Sequence, residues 1–132
     1  MDQFRWNDAG RSTSKRPKQK NDCTVRAIAL TCQVSYDEAY DAVAAMGRKS
    51  GQRWDIPKKP FELFGNYFIW HPLQAVKGEP RMRCCDMDQI SNRMILRVSK
   101  HVFAVVDGVV LDTSCDYMFE NCVYGYWTVR RK

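Results

Sequence analysis

An α+β fold is the class this sequence predicts, and three observations carry it. Between Asp22 and Gly47 apolar residues recur at helical spacing behind capping residues, whereas from Met94 onward the pattern turns to short β-branched and aromatic runs. Helices first and strands afterwards argue for elements segregated on one sheet, not for alternating βα units. The length, 132 residues, fits one domain, so every motif belongs to one core or one site.

Residues 1–20 read as a basic, flexible arm: Gly10, Ser12, Thr13, Ser14 and Pro17 are interleaved with Arg11, Lys15, Arg16, Lys18 and Lys20. Phe4 and Trp6 are expected to pin its start to the body. Residues 21–132 form the single folded domain. Val25, Ile28, Ala29 and Cys32 keep one face of a helix of about ten residues, with Asn21 or Asp22 as N-cap. Ser35-Tyr36-Asp37-Glu38 is a capping box, in which the serine hydroxyl accepts from the amide three residues on and Glu38 reaches back. It opens a second helix through Ala39, Tyr40, Val43, Ala44 and Met46, which Gly47 ends. The short Gln33-Val34 link makes the pair an αα-hairpin.

Residues 47–60, with Gly47, Gly51, Pro57 and Pro60, are expected to be a surface loop, followed by one helical turn over 61–64. Tyr67-Phe68-Ile69-Trp70 suits a strand, His71-Pro72 begins an irregular stretch, and 86–93 reads as a short helix. Met94 to Val98 is a strand, Ser99-Lys100 a bend, and His101 to Val106 a strand closed onto Val109 to Asp112 by Asp107-Gly108, a strong hairpin signal. Val123 to Val129 supplies the last strand. The aromatics Tyr67, Phe68, Trp70, Tyr124, Tyr126 and Trp127 are read as sheet core ahead of a base-stacking platform, and Asp55, Asp86 and Asp88 as solvated.

Composition narrows the function. No run approaches the roughly 18 apolar residues of a membrane span, and Met1 to Trp6 carries no signal-peptide core, so a cytoplasmic protein is expected. Six cysteines in a reducing compartment are expected to be free thiols. Adjacent Cys84-Cys85 and the spacing of Cys115 from Cys122 match no zinc pattern, so no metal and no cofactor are expected. The net charge of +6 favours acidic partners, although the excess lies in solvated segments and not on one periodic face.

A thiol attacks as thiolate, and a helix N-terminus favours that form; Cys23 stands there, while Cys32 lies near the helix's negative end and reads as core. Of the two histidines, His71 has no carboxylate placed to orient it. His101 begins a strand whose hairpin partner ends at Asp112, offset across the ladder by about two residues, within reach of a diagonal pair. Asp112 would then fix the imidazole tautomer and stabilise the imidazolium. For an oxyanion hole the Cys23 amide is one donor, and Gln19 or Asn21 could supply a side-chain amide as the second.

Cysteine at the head of the first core helix, then His and Asp on successive antiparallel strands, resembles the papain-like cysteine peptidase fold, in particular the small leader peptidases of bacteriocin exporters. The segments Asp22-Cys23-Thr24-Val25-Arg26-Ala27 and His101 to Thr113 also look like those of small phage-encoded proteins. The resemblance covers 19–34 and 94–113. It implies N-terminal helices packed on a small antiparallel sheet, with Cys23 as nucleophile, His101 as base, Asp112 as orienter and Gln19 as oxyanion donor. The expected function is a thiol hydrolase, a peptidase acting on a protein or peptide substrate, in the host cytoplasm if phage-encoded. Deamidation or transglutamination would use the same three residues. In a different class stands a non-catalytic inhibitor gripping an acidic host protein or nucleic acid through the basic arm.

Overall fold

The computed structural model describes residues 3–87, 90–115 and 121–132. Among them are two α-helices and seven strands in one mixed sheet. Helix α1 (Cys23–Cys32) carries one charged residue, Arg26, and buries eight of its ten side chains. It ends where Gln33 turns left-handed (φ 59°) and donates its amide to the Ala29 carbonyl. Helix α2 (Tyr36–Ala45) begins at the expected capping box, with Glu38 N donating to Ser35 Oγ at 3.1 Å and Ser35 N to Glu38 Oε1 at 3.3 Å. Gly47 follows its end at φ 125°. Helix α1 lies between α2 and the sheet, packed mainly on the fifth strand.

The strands are β1 (Gln3–Trp6), β2 (Phe61–Leu63), β3 (Asn66–Pro72), β4 (Arg93–Val98), β5 (His101–Val106), β6 (Val109–Asp112) and β7 (Gly125–Arg131), in spatial order β1-β6-β5-β4-β7-β3-β2. All pair antiparallel except β1, which runs parallel to β6 with Trp6 opposite Asp112. The expected wholly antiparallel sheet is thus mixed. Asp107 and Gly108 both take positive φ (51° and 79°), the backbone that a two-residue hairpin requires.

Both faces of the sheet are covered. On the helix side, Val25, Ile28, Ala39 and Val43 pack against Phe68, Ile95, Ala104 and Trp127. On the far side, Met94, Leu96, Phe103, Val105 and Val110 pack beneath Cys84, Met87 and Val123. Central strands buried twice over read as near-continuous apolar runs, which is the pattern of Met94-Ile95-Leu96 and Val102 to Val106.

Several expectations are revised. The turn at 61–64 is strand β2 instead of helix: Phe64 and Gly65 take φ 52° and 72°, Asn66 Nδ2 donates to the Phe64 carbonyl, and Phe61 stacks on Phe68 at 4.6 Å. His71 belongs to β3, opposite Tyr126, with Nε2 3.1 Å from Thr128 Oγ1. In place of a helix over 86–93 there is a single 3-10 turn at Cys84–Asp86, and β4 begins at Arg93; Asp88 lies outside the described residues. The last strand is shifted to Gly125–Arg131, where a Cβ on Gly125 would run into the Trp70 ring and stand 2.8 Å from the His71 carbonyl.

The first twenty residues, expected as a free arm, are tied to the body from Gln3 onward. β1 supplies a sheet edge and Phe4 packs on the far core, but Trp6 is exposed. Arg11 pairs with Asp22, and Arg16 with both Asp37 and Asp41. The loop after α2 is likewise not all surface. Ile56 is buried, and Arg48 is buried with Nη2 donating to Gln19 Oε1 and to the Lys20 and Asn21 carbonyls.

Candidate active site

Where the N-terminus of α1 meets the start of β5, Cys23, His101 and Asp112 come together. Cys23 is the first residue of the helix and half-buried. Its thiol faces the His101 ring and the Val102 amide. Burial alone would push this thiol up; the His101 bond, the Val102 amide, the imidazolium charge and Arg26 outweigh it and hold the thiol below its ordinary value. Elsewhere burial wins: Cys32 is pushed up to about 11 against the pull of Thr31 and Arg93, and Cys84 to about 12.

The His101 ring is fixed at its other edge. Nε2 lies 2.7 Å from Asp112 Oδ2, which leaves Nδ1 for the sulfur. Burial disfavours the charged ring, yet the Asp112 and Cys23 hydrogen bonds and charges prevail and raise it to about 9. Asp112 is buried, and burial would raise its carboxyl; the His101 bond and charge, the Thr113 amide and Arg26 hold it below the ordinary carboxylate range. Its second oxygen accepts from Arg26 Nη1 at 2.9 Å and from the Thr113 amide at 2.8 Å. A carboxylate with both oxygens occupied cannot rotate, so it sets the ring plane and keeps a proton on Nε2.

Behind the three side chains runs a charged network that the sequence reading did not anticipate. Arg26 spans the two acids, with Nε 3.2 Å from Asp22 Oδ1 and Nη1 on Asp112. Asp22 caps the helix by position but its side chain makes no capping bond; it accepts instead from Arg26, from Arg11 at 3.0 Å and from the Tyr36 hydroxyl at 2.8 Å. Donating to the Asp22 carboxylate is one reason the Tyr36 phenol loses its proton so reluctantly, burial being the larger. The signal was available: Arg26 is the single charge in a helix that is otherwise uncharged, four residues after an acid.

The two amide side chains considered for the oxyanion hole sit differently. Gln19 is engaged with the loop after α2, its Oε1 accepting from Arg48 and the Gly51 amide and its Nε2 facing Ser50 at 3.3 Å. Asn21 (φ 53°) lines the same cavity as Cys23 and His101, although its Nδ2 donates to the Gly51 carbonyl at 2.9 Å. The backbone amides at the head of α1 remain as donors beside the sulfur.

Two cavities meet at the thiol. One of about 170 Å³ runs past Thr24, Trp54 and Ile56, the other of about 290 Å³ past Asn21, Arg26 and Thr113. An attacking sulfur is therefore reachable from two sides, as a chain lying across it requires. Among the described residues no group of three His, Cys, Asp or Glu side chains is placed to hold a metal ion, and no helix is long and apolar enough to cross a membrane. Neither protein-family models, nor curated proteins, nor solved structures gave a match to the chain.

Proposed function

We propose that the chain is a thiol hydrolase of papain-like arrangement, a peptidase acting on a protein or peptide substrate. One observation carries the reading: a cysteine held low at a helix N-terminus, bonded to a histidine whose far nitrogen rests on a buried, doubly anchored aspartate. In this reading the pair exists as thiolate and imidazolium before substrate arrives. The Cys23 sulfur attacks the carbonyl carbon, a C–S bond forms, and the oxygen's negative charge faces the α1 amides. His101 gives its proton to the leaving amine as the C–N bond breaks, leaving a thioester. Water then attacks while His101 takes its proton, the C–S bond breaks, and thiolate and acid separate.

Alkylation tests this directly. At pH 6 iodoacetamide is expected to modify Cys23 faster than each of the other five cysteines, exposed Cys115 included. His101→Ala is expected to remove that preference. Equal labelling of Cys23 and Cys115, read by peptide mass spectrometry, would sink the proposal.

A further inference from the structure

The walls around the thiol are strongly and asymmetrically charged. The cations Arg11, Arg26, Arg53, Arg97 and Lys100 stand against the acids Asp22 and Asp55 on the cavity walls and Asp112 behind Arg26, a net of two positive charges. Asp22 is already shared between Arg11 and Arg26, and Asp55 turns to Arg97 at 3.2 Å. Among the described residues no carboxylate pairs with Arg53 or Lys100, and both line both cavities together with Cys23 and His101.

Both side chains are exposed, and that of Arg53 is anchored. Arg53 Nη1 donates to the Lys100 carbonyl at 2.9 Å, tying the loop after α2 to the β4–β5 turn, where Lys100 holds a left-handed φ of 58°. The guanidinium is thereby tied to a stretch of wall that both cavities share. A neutral peptide would leave this charge without a counterpart; an acidic one would supply it.

We infer that the site takes peptides bearing a carboxylate beside the bond that is attacked, with Arg53 and Lys100 receiving it. This rests on the thiol hydrolase reading above and specifies its substrate class. The carboxylate contributes positioning and encounter rate and takes no part in bond making.

The test compares iodoacetate with iodoacetamide, which deliver the same carbon with and without a negative charge. The iodoacetate-to-iodoacetamide rate ratio at Cys23, normalised to Cys115 in the same molecule, is expected to fall by about fivefold or more in Arg53→Gln/Lys100→Gln. The imidazolium, unchanged in that variant, does not account for such a fall. In parallel, millimolar acetyl-Ala-Glu-Ala-Glu-Ala-amide should slow iodoacetamide at Cys23 by at least about twofold more than its Gln counterpart, and the double variant should erase the difference. A ratio the double variant leaves unchanged, or equal protection by both peptides, overturns the carboxylate inference while leaving the hydrolase reading in place. If Cys23 reacts no faster than Cys115 with iodoacetamide itself, both fall together.

Discussion

The proton shared by Cys23 and His101 has consequences for stability that can be signed group by group. His101 is raised from 6.5 to about 9, so the stability it contributes is complete below 6.5 and is lost as pH rises through about 9. Cys23 is lowered from 9.0, so its contribution is complete above that value and is lost as pH falls through the lowered one. Between neutrality and pH 9 the two run in opposite directions. In Cys23→Ala only the histidine's share survives, still supported by Asp112. The urea midpoint of that variant is therefore expected to decline more steeply than the parent's as pH rises above 6.5. A variant that declines no more steeply than the parent would show that Asp112 does not hold the proton on His101.

At the scale of single elements, much of the site's framework was legible and its buttress was not. Periodicity and capping chemistry sufficed for α1 and α2, because Ser35 and Glu38 act within four residues of each other. The Asp107-Gly108 turn fixed the β5–β6 register, and with it the diagonal from His101 to Asp112. What escaped depends on long-range partners: Phe61 to Leu63 becomes a strand only because β3 lies beside it, and Arg26 is buried only because Asp112, eighty-six residues away, comes to meet it. Arg26→Met is expected to lower unfolding free energy by roughly 2–4 kcal/mol, since it strips a partner from two buried acids that keep Arg11, Tyr36 and His101. Arg26→Lys should recover only part of this, because an ammonium cannot fork to both carboxylates. Equilibrium urea unfolding of both variants checks it, and a loss below about 0.5 kcal/mol for Arg26→Met would mean the network orients side chains without stabilising the fold.

For the molecule as a whole, the site depends on an edge that lies at the opposite end of the sequence order from the strands it protects. β6 would be the sheet's last strand, and Asp112 its exposed end, were β1 not laid parallel along it with Asn7 N donating to the Asp112 carbonyl at 2.9 Å. Phe4 meanwhile closes the far core beside it. A sequence-based reading sees only a polar, basic segment there, since four residues of strand are too short for a period to show and parallel pairing leaves no turn as a marker. If the segment is structural, a chain starting at Asp8 should still fold, as both cores keep their central strands, but with about 1–3 kcal/mol less stability from the lost ladder bonds and the uncovered apolar surface. The loss should concentrate at the site: hydrogen exchange at Leu111 to Thr113 should speed up more than at Ile95 or Trp127, and the preference of iodoacetamide for Cys23 should shrink as Asp112 loosens its hold on His101. Uniform exchange changes with undiminished Cys23 preference would mean that β1 covers the sheet edge without helping to position the aspartate.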